Sequence, residues 1–576
     1  MKFLCKQLNN KFLALFLLAV AILLFMHWQL AMTVEFEYPF KVDAILSNVF
    51  SCFIDVTFFF VLSLLLTKGR VKGSLMLTFV LTAILSFCNV LYSRFFGHYL
   101  PNLAVTQLGN LNDGDVIRSI LTGFRWQDVC YILIAVLFGW IYRCYDRQSL
   151  KTRYIRTLGW LWAAILAVVV SFMLLIGLGH DTSFEITWHR FFPFREQYNM
   201  APNEKLFRSG FVRRAVVCYE DFFQKDLDLD GEQIKEIECE YSNLLERVTM
   251  PTVKDERNLI FIIVESYLSV TSDLKVDGKE ITPFLNSLRH DSTVYYNGHL
   301  TSNINMGESS DGQFIYMSGL LPLKSEITVN LIKGKMVQGL PKVLARQGIV
   351  KQSHMIAPTS PTFWEQDTMN EIYGIEKMYS KFDYPKALHG NEDLNDEQIF
   401  DMASKIDTQT KEPFFSMVIT MSMHCPYDKS VEHGFALSNQ KMTPEYRNYL
   451  MDCHYTDQQL EKYIDVLKKN GIYDKSVIVI AADHHAHPSM FDMEEGDISQ
   501  ELPLYVINGG IDTSEAWTGP CNQLDVYTTL LDMFGVKTKW HGLGHTLLKS
   551  DYINSVSDNT QRLSDWIVRG NYFKDR

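Results

Sequence analysis

Apolar residues gather into five long runs in the first third of the chain and into short, isolated runs in the remainder. The long runs are Phe12–Met32, Ala44–Leu66, Ser74–Phe96, Val129–Tyr142 and Thr157–Leu178. Four hold about 20 residues, enough to cross a hydrocarbon core of about 30 Å at a rise of about 1.5 Å per residue. The fourth reaches that length only with Gln127 and Asp128 at the interface. The first run exceeds the apolar core of a cleaved leader, and no small-x-small site follows it, so it is expected to stay as an anchor. The pattern predicts a five-span α-helical bundle over 1–178.

The next stretch, 179–250, is neither span nor buried strand. It opens with Phe184, Trp188, Phe191, Phe192 and Phe194, as suits a chain leaving the membrane interface, and then turns charged and helical in DGEQIKEIECEYSNLLERV. It reads as a connector on the membrane surface.

From residue 251 to 576 the pattern changes again. NLIFIIVES, KEPFFSMVITMSMH and KSVIVIAADHH are unbroken apolar runs that end in carboxylates or histidines. Such runs mark strands buried on both faces of a parallel sheet. Helical patterns lie between them, one of which runs from Pro444 to a C-terminal Gly471. Within it the stripe Leu450, Tyr455, Leu460 and Tyr463 reads as core. Alternating strands and helices predict an α/β domain with a mainly parallel sheet between helices.

Charge orients the chain. Lys2, Lys6 and Lys11 precede the first span, Lys68, Arg70 and Lys72 follow the second, and Arg143, Arg147, Lys151, Arg153 and Arg156 follow the fourth. Positive loops favour the cytoplasm. The N-terminus is therefore expected inside a cytoplasmic membrane, and the domain after five spans outside it. The net charge of −12 argues against a nucleic-acid partner. The ten cysteines form no CxxC pair, which removes a zinc ribbon. Few charges stand in the spans, apart from Asp55 and Arg94 near a span end, which disfavours a transporter.

Ligands of parallel sheets bind at the carboxyl ends of strands. Glu265, His424, Asp483 and His484 fall there, although a lone Glu or His after a strand is usually a solvated loop residue. Asp483 beside His484 is the stronger signal, because a hard carboxylate and an imidazole together suit a divalent metal.

The ordered series NLIFIIVES, ITPFLNSL, GESSD, FW, HCPY and ADHH, behind a five-span anchor, resembles the lipoteichoic acid synthase family of the alkaline phosphatase/sulfatase superfamily. The resemblance implies a sulfatase-like catalytic domain outside the cytoplasm. It implies Glu265, Ser309, Asp483 and His484 as ligands of one divalent metal, with manganese preferred over zinc or magnesium. Ser309 falls on the family's nucleophile. His424 falls on the histidine near the substrate phosphate, which binds a phosphoryl oxygen or protonates the leaving alcohol. Trp364, with Gln366 two residues on, falls in the head-group pocket. The implied reaction moves a phosphoglycerol-type head group from a membrane phospholipid, through a phospho-serine, to an envelope glycan or glycerol-phosphate polymer. A metal-bound serine hydroxyl is acidic enough to attack phosphorus.

Two departures remove positive charge from the site. Gln366 stands where the family has an arginine, and Glu308 where it has a lysine. His485 and His487 suit supporting or solvated roles, and His541 and His545 structural ones. A sulfatase would need a C/S-x-P-x-R motif, which is missing near Ser309. A phosphoethanolamine transferase shares the layout but has a threonine nucleophile and S-D-H-G-E where this chain has ADHHA. A non-catalytic envelope-binding relative is the remaining alternative.

Overall fold

The computed structural model describes residues 10–32, 42–96, 99–100, 123–145, 207, 210–212, 227–245 and 251–574, except 325, 391, 428–429, 432–433, 487–490, 492 and 494–496. The expected fifth span, the interfacial aromatics from Phe184 to Phe194, the basic stretch from Arg147 to Arg156, and Lys2, Lys6 and His487 lie outside the described residues. The chain divides into two compact units.

In the N-terminal unit the apolar runs form helices α1 (Asn10–Ala31), α2 (Val42–Leu66), α3 (Val71–Phe96) and α4 (Val129–Arg143). Among the described residues three helices, within α1, α2 and α3, are long and apolar enough to cross a membrane. The fourth run forms α4, 15 residues behind a single tight turn, Trp126–Asp128. Asp128 is buried, paired in a two-pronged contact with Arg94 at 2.7 and 2.8 Å. Gln29 donates to the same carboxylate and accepts from the Tyr131 hydroxyl. Asp55, within α2, accepts from the backbone N–H groups of Phe211 and Val212 at 2.9 Å. Charges inside an apolar bundle are costly unless satisfied in this way.

In the second unit, helix α5 (Gly231–Leu245) precedes the sheet. The strands are β1 (Asn258–Val264), the hairpin pair β2 (Lys275–Val276) and β3 (Lys279–Glu280), β4 (Tyr295–Thr301), β5 (Gln352–Ile356), β6 (Lys377–Tyr379), β7 (Phe414–Ile419), β8 (Ser476–Ala482), β9 (Leu502–Ile507) and β10 (Cys521–Asn522). The main sheet has the order β10-β4-β9-β8-β1-β7-β5-β6. Every residue of β1, β7 and β8 is buried, which is what their unbroken apolar sequence demands. The long helix α6 (Pro444–Lys469) buries the stripe Leu450, Tyr455, Leu460 and Tyr463 in the core.

Strand direction decides where the chemistry collects. β1 runs parallel to both neighbours, β7 and β8, with Ile263 level with Ile419 and Ala481. β9 is antiparallel to β8 and to β4, so β4 points the same way as β8. β5 and β6 are parallel to β7. The carboxyl ends of β1, β4, β5, β6, β7 and β8 therefore all open on one edge. Asn258 sets the register from the other edge, donating to Ser476 Oγ and accepting from the Phe414 N–H. The described cysteines form no disulfide.

Candidate active site

Two strand ends and one helix start build the site. Glu265 follows β1, and Asp483 and His484 follow β8. Ser309 is the first residue of helix α7 (Ser309–Ser318), which is reached from β4 through the loop 302–308. One ligand atom each from Glu265, Asp483 and His484 lie within 4.8 Å of one another, and all three residues are buried. Ser309 Oγ stands 3.3 Å from Glu265 Oε2 and 3.1 Å from His484 Nε2. Residues drawn from positions 265, 309, 483 and 484 thus share one small volume.

Each group is held from outside the cluster. His484 Nδ1 donates to the His485 carbonyl at 2.8 Å, which fixes the ring with Nε2 facing Ser309. The Ser266 N–H and the His484 N–H both donate to Asp483 Oδ1. The Ser266 hydroxyl donates to Glu265 Oε1 at 2.7 Å, and Thr420, at the end of β7, accepts from the Glu265 N–H at 3.0 Å. Gln523 Nε2 donates to the Asp483 carbonyl at 2.7 Å. Asp311 Oδ2 accepts from the N–H groups of Asn305 and Gly307 and sets the loop before Ser309. Ser266, Thr420 and Asp311 lie inside the runs NLIFIIVES, KEPFFSMVITMSMH and GESSD but had no role assigned there, and Gln523 lies outside every run.

Two further features shape the site. The backbone of Glu308 has φ 45° and ψ −121°, and Ser266 has φ 48°. Non-glycine residues held there cost on the order of 1–3 kcal/mol each and persist where surroundings impose them. Gly312, one turn into α7, meets the end of β8 so closely that a Cβ would lie 2.2 Å from the Asp483 carbonyl oxygen. Glycine is what lets α7 approach the end of β8.

The electrostatics point to a missing positive charge. Burial pushes the Asp483 carboxyl up to about 7, and the neighbouring Glu265 carboxylate adds to the effect. Burial also opposes ionisation of Glu265, but His484 and His424 outweigh it and hold this carboxyl below its ordinary value. Burial would lower His484, yet Asp483, Glu265 and Glu308 raise it to about 9. Two carboxyls this close share the penalty unequally. Asp483 Oδ2 is buried with no hydrogen-bond partner. Three carboxylate or imidazole donors and a serine hydroxyl form a set of three oxygens and one nitrogen, which fits a divalent cation.

The other expected residues lie around this cluster. His424 is exposed on the loop after β7, its Nδ1 donates to the Cys425 carbonyl, and it faces Glu265 closely enough to stabilise that carboxylate. After β5, the strand beside β7, Trp364 lies in the tight turn Phe363–Glu365 and Gln366 opens the helix Gln366–Tyr373. Trp364 is half-buried with φ 50°, and Gln366 is buried with Oε1 unpartnered. Neither makes a hydrogen bond with the four clustered residues. Of the remaining histidines, His541 is buried, and His545 donates from Nδ1 to the Ile553 carbonyl.

Comparison with known proteins adds an independent line. Residues 1–190 match the family described as lipoteichoic acid synthase N-terminal domain, and residues 257–536 match the sulfatase family. The lipoteichoic acid synthase of Staphylococcus saprophyticus is 24% identical over 513 residues, covering 84% of this chain and 75% of that protein. Lipoteichoic acid synthase 2 of Bacillus subtilis is 28% identical over 319 residues, covering 52% of this chain and 47% of that protein. The crystal structure of the lipoteichoic acid synthase LtaP from Listeria monocytogenes aligns with 19% identity and a TM-score of 0.46, over 56% of this chain and 82% of that one.

Proposed function

The chain belongs to the lipoteichoic acid synthase-like branch of the alkaline phosphatase/sulfatase superfamily, and from that premise we propose that it is a membrane-bound phosphoglycerol transferase with Ser309 as its nucleophile. The donor is a membrane phospholipid and the acceptor an envelope glycan or glycerol-phosphate polymer. The observation that carries the reading is the position of Ser309 Oγ, within 3.1 and 3.3 Å of two ligand-type atoms at the start of a helix. That helix start also presents backbone N–H groups to an anionic phosphate.

Glu265, Ser309, Asp483 and His484 hold one divalent cation, with manganese the first choice. The cation supplies Lewis acidity, making the serine hydroxyl acidic and offsetting charge on the phosphoryl oxygens. Ser309 Oγ releases its proton to solvent and bonds to phosphorus as the bond from phosphorus to the diacylglycerol oxygen breaks. His424, with Nδ1 committed to a backbone carbonyl, has Nε2 to carry a proton to the departing oxygen. In the second half, His424 Nε2 takes the proton of the acceptor hydroxyl as that oxygen attacks phosphorus, the bond from phosphorus to Ser309 Oγ breaks, and the serine regains its proton from solvent. Trp364 and Gln366 line the head-group side. The basic residues before the first span place the N-terminus inside and the catalytic unit outside the cytoplasmic membrane.

One observation favours a second reading. Glu308 is a buried carboxylate that acts on His484, where the family has a lysine. A negative wall suits a head group that carries an ammonium, as in ethanolamine phosphate transfer.

Intact-mass analysis after incubation with Mn²⁺ and vesicles of mixed phosphatidylglycerol and phosphatidylethanolamine tests both. A glycerol-phosphate adduct on the wild type and none on Ser309→Ala supports the first reading. An ethanolamine-phosphate adduct replaces it with the second. No adduct and no released diacylglycerol under any divalent metal would sink both in favour of a binding protein.

A further inference from the structure

The segment after β6 presents apolar side chains where no protein covers them. Phe382 is 70% exposed and Leu388 is 63% exposed. In the described part of the second unit the other exposed large apolar residues are Ile553, at 59%, and Met336, at 39%, so half of this set falls within seven residues. Scattered exposed apolar residues are ordinary, but such a concentration marks a contact surface.

The segment is braced. The Ser380 hydroxyl accepts from the Phe382 N–H, and Asp383 Oδ2 accepts from the Ser380 N–H at 2.8 Å. Lys381 is tied at 2.6 Å to Asp393, both nearly buried. The Tyr384 hydroxyl donates to Asp401. Phe382 is therefore held outward by a fixed turn.

Its place in the fold is specific. β6 is parallel to β5 and β7, so this segment leaves the edge on which Glu265, Ser309, Asp483 and His484 gather. The Lys381 N–H donates to the Thr359 carbonyl and the Leu394 N–H to the Pro358 carbonyl, joining it to the segment that carries Trp364 and Gln366. Within residues 377–389, Lys377 and Lys386 are exposed together with Asp383, while Lys381 is spent on Asp393, in a chain of net charge −12. An aromatic and a leucine beside lysines match the chemistry of an anionic bilayer surface. The same chain carries helices able to cross a membrane, so a bilayer is always at hand.

We propose that Phe382 and Leu388 insert into the lipid surface and deliver the donor phospholipid to the site edge. The proposal rests on a lipid donor but not on the identity of its head group.

The test uses the full chain reconstituted in vesicles containing phosphatidylglycerol, with the photocrosslinker p-benzoylphenylalanine placed at Phe382 or at Lys411. Lys411 is exposed just ahead of β7, on the opposite edge of the sheet. Lipid-mass adducts are expected at position 382 and at most a trace at 411. Equal labelling, or none at 382, overturns the proposal whether or not the protein is a transferase. In a second arm, Phe382→Ser with Leu388→Ser raises the half-saturating concentration of vesicle lipid about tenfold. Turnover of a short-chain phospholipid kept monomeric stays unchanged. An equal loss on both substrates assigns the pair a structural role and also overturns the proposal.

Discussion

Gly312→Ala is the sharpest probe of how the site is assembled. The new Cβ would lie 2.2 Å from the Asp483 carbonyl oxygen, 2.9 Å from its carbon and 3.0 Å from its Cα. All three are backbone atoms of the ligand strand end, so no side chain can swing away. Ordinary contact needs about 3.4 Å, and α7 must therefore withdraw by roughly 1 Å. Ser309 lies three residues earlier on the same helix and moves with it. Its 3.1 and 3.3 Å contacts then stretch past hydrogen-bond length. Overpacking of this kind costs about 1–3 kcal/mol of stability. A 1 Å misplacement of a reacting group costs about 100-fold in rate. Thermal unfolding and turnover of fluorescent phospholipid to diacylglycerol, measured on one preparation, check both numbers. A variant that keeps wild-type turnover and wild-type response to Mn²⁺ would refute the claim that this close approach sets the nucleophile.

Two further predictions follow from the same geometry. Adding Mn²⁺ at about 100 times its dissociation constant should stabilise the protein by about 2.7 kcal/mol, visible as a rise in unfolding temperature that EDTA reverses; Asp483→Asn should abolish the rise, and a rise that survives would remove Asp483 from the ligand set. Asp452, buried on α6, has its carboxyl pushed up to about 8 by burial, with the Asp396 carboxylate adding to the effect. Its unfolded value is the ordinary one, so between roughly pH 4 and pH 8 the folded chain holds a proton that the unfolded chain has lost. Stability from this group is therefore full at low pH, falls as pH rises through that window, and levels off above it. Asp452→Asn keeps the acceptor for the Val431 N–H at 2.7 Å and should raise the unfolding temperature at pH 8 by on the order of 5 °C while changing little at pH 4.

What the sequence determined by itself is local. The runs at Asn258–Val264, Phe414–Ile419 and Ser476–Ala482 had to be buried strands, because segments apolar on both faces, with one polar residue each at Asn258, Ser416 and Ser476, cannot turn either face to water. Glu265, Asp483 and His484 could be read as ligand-type residues, because they end those runs. The apolar helices α1, α2 and α3 were legible from length alone. Ser309 was visible only through resemblance, since a serine in a polar loop has no signature of its own.

The tertiary structure decided everything that joins distant positions. Strand order placed β1 between β7 and β8, and only then do residues about 220 positions apart share a site. Ser266, Thr420, Gln523 and Gly312 gained their roles from that order, and no spacing along the chain encodes it. Asp128 shows the same limit in the first unit. In sequence it was a polar residue at a span end with no partner in view, and in the fold it is buried against Arg94, because an ion pair with both partners satisfied tolerates burial where a lone carboxylate does not.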